Sequence, residues 1–453
     1  LIDKIRHPTS SLSKKKDQIP TVRSAVNPTS YLHHPTKPTM STPSSSTASA
    51  YLERGTRAYA VVLGAWLLLL PASGLLNSTG IFQARLVEHE LRGRYAEGEV
   101  AWIFSVFAFL VFFGGVGVGP AFDKYGEKIL VRLGAGGLHH NTPNPPPPEY
   151  YQFLLSFGIL GGTASSLLWT TSIATLGHWF HQNRALATGL ATTAGGFGGV
   201  LYPILFHTLV PRLGFPWTLR CFALLSGCCL LAGSALLRTR LPRPTHTATG
   251  LISLEWSSFR DPRFVLTMAA IFVLDWAVLV PPAYVTLYAR SRGLHDIAPH
   301  VLALLNAASI FGRGLPGPIA DQLGRFNVMI LCSAVCTASV FGLWLRLGSS
   351  VAGIVVFAIV YGFFSGPAYS LTPVCVAQLC RTEEYASRYG TAYGVVSLAT
   401  LAGVPLSGSI LGAGGGGEYD GLIGFCGAMY AVSTVLFVVA RGVSKGWKVG
   451  IKF

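Results

Sequence analysis

The stretch from Asn306 to Arg325, NAASIFGRGLPGPIADQLGR, places Arg313 inside an apolar segment and closes that segment with a turn of glycines and charges. The turn occurs twice: Gly119, Asp123 and Gly126 recur 198 residues later as Gly317, Asp321 and Gly324, with Lys128 and Arg325 as the respective last members. Two matching turns predict two related halves, and a charge at membrane depth is costly and usually functional. The sequence therefore predicts paired helix bundles with a solute site between them, as in secondary transporters.

Composition supports a membrane protein. Hydrophobic residues make up 51% of the 453 residues and charged residues 12%, against about 25% charged residues in soluble domains. Several apolar runs exceed 18 residues, which is typical of membrane-spanning helices. The net charge of +15 is concentrated at the ends, with nine Lys/Arg and three acids in residues 1–57. Basic flanks indicate cytoplasmic ends, so we expect an all-α, multi-pass protein, at the plasma membrane, that binds no nucleic acid.

The apolar pattern divides the chain into two bundles of six helices. The expected parts are a disordered cytoplasmic tail (1–57), an N-terminal bundle (58–237), a basic cytoplasmic connector (238–263), a C-terminal bundle (264–441) and a cytoplasmic tail (442–453). The third of the twelve helices is damaged at 129–149, because HHNTPNPPPPE interrupts it and four successive prolines cannot continue a helix. A gene-model error and a genuine loss both explain this, and sequencing the transcript across Gly134 to Glu149 would separate them.

Three further segments resemble the major facilitator superfamily and, within it, the fungal branch of the monocarboxylate porters. They are LGAW…NSTGIFQ (Leu63 to Gln83), GHWFHQNRALATGLA (Gly177 to Ala191) and NAASIFGR (Asn306 to Arg313). The resemblance covers about residues 58–441. It implies a major facilitator fold of two six-helix bundles and alternating access for small organic acids or related metabolites, often with protons. It also implies that Arg313 is the substrate arginine of helix 8.

Three positions depart from the well-studied animal members of that family. Asn77 stands where those porters have a lysine, and Ser309 stands one turn before Arg313 where they have an acid. The helix 1 signature also lacks its acidic start, since Leu63 begins LGAW. Proton-coupled lactate transport therefore does not follow from the resemblance alone.

The residues themselves suggest further site members. Asp275, in the middle of helix 7, could pair with Arg313 when the site is empty, so that its protonation would release the arginine and couple a proton to the solute. Its alternative is an acid at a helix kink that is hydrogen-bonded to local hydroxyls. Polar side chains that could line a cavity, each also explicable by packing, are Asn77, Asn306, Ser309, Tyr361 and Tyr369. Arg313 itself could instead extend its head to the cytoplasm. The two glycine-and-charge turns are interpreted as gates.

Two other classes of protein compete with a transporter. An enzyme would need a nucleophile, base or metal constellation, but the chain contains no HExxH and no GxSxG motif. The eight cysteines form no CxxC pair, so we interpret them as small apolar residues. We therefore expect no catalytic residue, metal or cofactor. A non-transporting remnant, or a receptor on a transporter fold, stays open as an alternative because helix 3 is damaged.

Overall fold

The computed structural model describes residues 55–91, 94–95, 97–139, 149–240, 255–413 and 419–446. Within these ranges the chain forms helices and no strand. Most of the two predicted tails and the middle of the predicted connector lie outside the described residues. The disorder expected of residues 1–57 and the bounds of the tails and connector stay predictions.

The described part of the chain contains twelve principal helices. They are α1 (Thr56–Asn77), α2 (Glu99–Tyr125), α3 (Glu127–His139), α4 (Tyr150–Trp179), α5 (Arg184–Leu213), α6 (Phe215–Leu236), α7 (Pro262–Ser291), α8 (Ala298–Gly314), α9 (Arg325–Leu347), α10 (Val351–Gln378), α11 (Tyr385–Leu411) and α12 (Asp420–Lys445). Ten of them are long and apolar enough to cross a membrane. The other two are α3 and α8, and α8 is continued by a short helix, Pro316–Leu323.

The third helix is short, as the sequence predicts. With 13 residues, α3 is about 20 Å long at 1.5 Å per residue, whereas a bilayer core is about 30 Å thick. Its counterpart in the second half, α9, has 23 residues. The proline run that interrupts the sequence lies in 140–148, outside the described residues. The part of α3 that forms packs against α4 and α6.

Helix packing follows the two halves of the chain. In the first half α1 packs against α4, α5 and α6, and in the second α7 packs against α11 and α12 while α8 packs against α10. The halves meet where α2 contacts α11 and where α5 contacts α8. A shift of six helices exchanges these two contacts, which is the relation expected of two repeats about a pseudo-two-fold axis.

The outer surface of the bundles is apolar. Leu224 and Leu231 on α6 are 68% and 74% exposed, and Val435 on α12 is 60% exposed. Such large exposed apolar side chains are unfavourable in water, but they suit contact with lipid.

Each of the repeated turns contains a glycine with a positive φ. Gly126 ends α2 with a φ of 75°, and Gly324 precedes α9 with a φ of 103°. Both values lie in the left-handed region that favours glycine, so the repeat reflects a shared geometric need. We call the end of the molecule that carries both turns the motif end.

The bundles approach each other at backbone distance beside these turns. A Cβ on Gly390 of α11 would overlap the carbonyl oxygen of Gly115 in α2, and a Cβ on Gly119 would overlap the carbonyl oxygen of Ala386. Small residues permit this approach because no side chain separates the helices. The α2–α11 contact therefore depends on Gly115, Gly119 and Gly390. Of these glycines only Gly119 belongs to the first turn motif.

Candidate functional site

Arg313 lies between the two bundles. Only 2% of its surface is exposed. Its Nε donates a hydrogen bond to Ser309 Oγ at 3.2 Å, and its Nη1 donates to the carbonyl oxygen of Thr192 in α5 at 3.1 Å. Ser309 lies one turn towards the start of α8, so the guanidinium leans away from the motif end, in the usual direction for a helical side chain. The arginine bridges α8 to α5 and does not extend to that end.

Two glycines of α5 make room for the arginine and its neighbours. A Cβ on Gly195 would overlap Nη1 of Arg313 and lie 3.0 Å from Asn77 Nδ2. A Cβ on Gly199 would lie 3.0 Å from Asn77 Cβ and 3.4 Å from Asn306 Cγ. Asn77 Nδ2 also donates to the carbonyl oxygen of Gly195 at 2.9 Å. The glycines of α5 thus let Asn77 of α1 approach Asn306 and Arg313 of α8, with Ser309 beside them.

Tyr369 connects this group to Asp275. The guanidinium carbon of Arg313 lies 4.5 Å from the centre of the Tyr369 ring, a cation–π contact. Tyr369 and Asp275 both line a cavity of about 10 Å³, which is about the room that one water molecule needs. Asp275 Oδ2 accepts a hydrogen bond from Thr400 Oγ1 at 2.5 Å. The packing of α7, α8, α10 and α11 therefore places Arg313 and Asp275 near the same tyrosine, Tyr369.

The expected ion pair between Asp275 and Arg313 is absent from this conformation. Among the described residues the two side chains form no salt bridge with each other. The carboxyl group is hydrogen-bonded to Thr400, while the guanidinium is engaged by Ser309 and the backbone of Thr192. The contact with a local hydroxyl is the alternative that the sequence left open for Asp275. The connection between the two groups runs through Tyr369, which contacts Arg313 and lines the cavity with Asp275, and not through a direct bond.

Aromatic side chains form part of the remaining cavity wall, beside the aliphatic residues Ile271, Leu274, Val278 and Ala368. Phe112 of α2 lies 6.0 Å from Trp169 of α4 and 5.7 Å from Tyr393 of α11, measured between ring centres. These three rings line the cavity with Tyr369. None of these three rings was predicted from the sequence as a site residue, and neither were Gly195 and Thr192. Aromatic residues at helical spacing resemble ordinary packing, but the small-residue run around Gly195 carried a signal of close approach.

Tyr361 lies apart from this site. Its hydroxyl is 2.8 Å from that of Tyr430 and donates to the carbonyl oxygen of Val278 at 3.3 Å. Its ring stacks on Phe357, and it does not line the cavity. The structure therefore brings together five of the six predicted binding residues and places Tyr361 inside the second bundle.

The second turn motif attaches the second bundle to the first. The two carboxylate oxygens of Asp321 accept hydrogen bonds from the backbone amides of Ala185 and Leu186, at 3.2 and 3.0 Å. Those amides lie in the first turn of α5, where unpaired N–H groups and the helix dipole favour an anion. Arg325 forms an ion pair with Asp321 at 3.2 Å and donates to the carbonyl oxygen of His181 at 2.7 Å. This turn therefore closes the bundles together at the motif end.

The first turn motif makes the corresponding contact with α11. Asp123 Oδ2 accepts a hydrogen bond from Ser387 Oγ at 2.6 Å. The two contact regions are themselves joined, because the guanidinium of Arg184 at the start of α5 lies 5.3 Å from the Tyr385 ring centre at the start of α11. Lys128 differs from its counterpart Arg325 in that its side chain is exposed. Both turns thus lie at one end of the molecule, and that end is closed.

Comparison with known proteins identifies the family. The model of the Major Facilitator Superfamily matches residues 58–352. The "MFS-type transporter 1" of Ophiocordyceps sp. (strain BCC 1869) is 33% identical over 398 residues, 87% of each chain. The "Riboflavin transporter MCH5" of Saccharomyces cerevisiae is 29% identical over 424 residues, 88% of this chain and 81% of its own. The human organic anion transporter MFSD10 shares the fold, with a TM-score of 0.66, 17% identity, and coverage of 85% of this chain and all of its own.

The chain belongs to the Major Facilitator Superfamily, and its class is that of secondary transporters with small-molecule substrates. The matching relatives and fold neighbours are transporters and not enzymes, which confirms the expectation that the protein is no enzyme. The all-α major facilitator fold and the multi-pass membrane location are confirmed as well. The assignment to the monocarboxylate branch stays a prediction.

Proposed function

We propose that this protein moves a small organic anion, a monocarboxylate or a related metabolite, across a membrane by alternating access together with a proton. The observation that carries the proposal is Arg313, a buried guanidinium between the bundles that forms no ion pair with a described residue. An uncompensated cation at membrane depth is costly. An incoming carboxylate would remove that cost and accept two parallel N–H bonds from the guanidinium fork.

The polar neighbours of Arg313 suit an anionic solute with a hydrogen-bonding group beside its charge. Asn77, Asn306 and Ser309 supply amide and hydroxyl groups around the guanidinium, and such groups fix orientation in binding sites. The monocarboxylate class rests on this arrangement and on the sequence resemblance. The riboflavin in the yeast relative's name is a reason to test metabolites beyond monocarboxylates.

Asp275 supplies the proton coupling by like-charge repulsion. It is the one acidic side chain among the described residues that line the cavity. An ionised carboxylate there would repel an incoming anion strongly, because the surroundings are apolar and screen charge weakly. Protonation removes the repulsion, so anion and proton enter together. This mechanism needs no direct bond between Asp275 and Arg313.

The motif end serves as the gate in this proposal. The contacts of Asp321 with α5 and of Asp123 with Ser387 hold that end closed. Alternating access requires these contacts to break when the bundles rock about the central site. The basic tails and connector place the motif end on the cytoplasmic side by the charge rule, and we infer the plasma membrane as the location.

The proposal is tested by uptake into liposomes that contain the purified full chain. The solutes are labelled lactate, 3-phenyllactate and succinate, with glucose as a neutral control and choline as a cationic control, and the liposome interior is kept more alkaline than the outside. We expect saturable uptake of at least one carboxylate and none of glucose or choline above protein-free liposomes. Uptake of choline or glucose, with none of the carboxylates, would contradict the proposal.

A second candidate follows from the 13-residue α3, which is too short to span the bilayer. A remnant or receptor on the same fold would bind the carboxylate without moving it. Binding in detergent combined with an absence of uptake by the same preparation would favour this candidate over a transporter.

Gly195→Ala is expected to lower carboxylate uptake about tenfold, which corresponds to about 1.4 kcal/mol. The added methyl group would overlap Arg313 Nη1 and must displace the guanidinium or separate α1 from α5. Initial rates per amount of folded protein provide the measurement. Gly342→Ala is the matched control, since a Cβ there meets no heavy atom within 4 Å. Equal rates for the two variants would show that close packing at Gly195 is unimportant for the site.

A further inference from the structure

The wall of the central cavity combines four aromatic residues with four aliphatic residues and one acid. Four of its nine lining residues carry rings, namely Phe112, Trp169, Tyr369 and Tyr393, and Asp275 is its one charged side chain. A site for a small aliphatic acid needs a compact apolar wall and its polar anchors. Four rings around a single cavity offer instead large, polarisable faces and edges, which other aromatic groups contact favourably.

The rings are held rigidly and in different orientations. Phe112 and Trp169 make an edge-to-face contact with an interplanar angle of 82°, and Phe112 is tilted by 36° against Tyr393. Trp169 Nε1 donates to Tyr389 Oη at 2.8 Å, and the hydroxyl of Tyr393 lies 2.7 Å from that of Thr372. These bonds fix the two polar rings in this closed conformation, and the bond of Trp169 to Tyr389 also joins the two bundles.

The arginine lies next to this aromatic wall. The guanidinium of Arg313 lies over the ring of Tyr369, and the same tyrosine lines the cavity. The Tyr369 hydroxyl forms no hydrogen bond with a described residue, so it is available to a solute. A molecule with an anionic group on Arg313 would therefore extend its body past Tyr369 towards the rings of Phe112, Trp169 and Tyr393.

We infer that the transported anion is aromatic: a carboxylate that carries a planar ring, with the carboxylate on Arg313 and the ring among Phe112, Trp169 and Tyr393. This inference rests on the proposed function and specifies its substrate class. Ring-to-ring contacts add a preference beyond burial of apolar area, so an aromatic acid binds more tightly than a saturated acid of the same size and charge.

The bundle arrangement explains how the site admits such a molecule. Phe112 and Trp169 belong to the first bundle, whereas Tyr369 and Tyr393 belong to the second. In the present conformation the cavity of about 10 Å³ is nearly closed. Separation of the bundles moves two rings away from the other two, so the cavity widens in the step that opens the site. The solute then fills the space between two opposed aromatic surfaces.

A matched series of acids tests this inference on the purified full chain in detergent. The probes are 3-phenyllactate, 3-cyclohexyllactate, lactate and the neutral 3-phenylpropane-1,2-diol, and the measurement is the dissociation constant from titration calorimetry. We expect 3-phenyllactate to bind at least about tenfold more tightly than 3-cyclohexyllactate, a difference of about 1.4 kcal/mol. Equal or tighter binding of the cyclohexyl compound would overturn the aromatic inference and leave anion transport intact.

The remaining outcomes separate this inference from the proposed function. Equal binding of 3-phenyllactate and the neutral diol would contradict an anion site but not an aromatic one. Binding of none of the four compounds would overturn both. A transporter with an aromatic anion site gives tight binding only when ring and charge are both present.

A pair of variants checks that the named rings provide the preference. In the wild-type protein the dissociation constant of 3-cyclohexyllactate is expected to exceed that of 3-phenyllactate at least about tenfold. Phe112→Leu is expected to reduce this ratio to about threefold or less. Phe107→Leu makes the same change in the same helix at a fully buried position away from the cavity, and we expect it to keep the ratio. A loss of fold would remove binding of both acids, whereas a lost ring contact changes the ratio. An unchanged ratio in Phe112→Leu would contradict the assignment.

Discussion

Arg313→Lys is expected to lower carboxylate uptake about 100-fold, which corresponds to about 2.7 kcal/mol, while the protein stays folded. Lysine keeps the charge but offers one point of attachment, whereas the guanidinium fork binds a carboxylate in two parallel bonds. The substitution also removes the donor to Thr192 that holds the group between α8 and α5. Initial uptake rates of lactate and 3-phenyllactate, divided by the amount of protein in the liposomes, provide the measurement.

The matched control is Arg292→Lys. Arg292 is an arginine of the same bundle, but it is partly exposed and pairs with Asp420 at 3.5 Å, away from the cavity. Exposed ion pairs contribute little to stability, so this variant should transport normally. Uptake kinetics of Arg313→Lys that match those of Arg292→Lys would exclude a substrate-binding role for Arg313.

Asp275→Asn is expected to leave anion exchange intact and to remove its pH dependence. In the wild-type protein uptake should fall as the pH rises, by up to about tenfold per pH unit, because one proton must be bound for the anion to enter. Asparagine is neutral at every pH and mimics the protonated acid. The variant should therefore keep the low-pH rate across the range. Rates of homo-exchange from pH 5 to pH 8 provide the measurement.

Thr400→Val separates the charge of Asp275 from its hydrogen bond. The substitution removes the hydroxyl that donates to the carboxyl group but leaves a group that can titrate. We expect this variant to retain a pH dependence. A profile of Asp275→Asn that coincides with the wild-type profile would show that another group carries the proton.

The large-scale organisation could be predicted from the sequence because it is written in local features. Apolar runs of sufficient length define helices, and the repeated glycines at 126 and 324 both adopt a positive φ. The interruption after α3 could be recognised because proline cannot continue a helix. Arg313 could be recognised because an arginine in an apolar helix is rarely placed there for packing.

The details of the site could not be predicted because they depend on contacts between distant helices. Tyr361 and Tyr369 both lie on α10, which is apolar all round, so its pattern does not indicate which tyrosine faces the cavity. Only the packed structure shows Tyr361 bonded to Tyr430 and Tyr369 beneath the arginine. The partner of Asp275 likewise became visible only when α11 placed Thr400 beside it.

At the motif end, too, the sequence predicts the residues that matter but not the partners that they contact. The sequence singled out Asp321 and Asp123 as members of a repeat, but it contained no information on their partners. Asp321 is bound by two backbone amides of α5, and Asp123 by a serine hydroxyl of α11. Backbone partners have no sequence signature of their own, so contacts made with them become visible only in three dimensions.

Counterflow through liposomes that contain the full chain tests the central claim, that this protein carries an organic anion across the membrane, most directly. Liposomes are loaded with unlabelled 3-phenyllactate and diluted into a trace of labelled compound, and the experiment is repeated with lactate. A carrier with alternating access exchanges inner for outer solute, so we expect the label to accumulate transiently above its equilibrium level. No such overshoot with either acid, relative to liposomes that contain the Arg313→Lys variant, would contradict the claim.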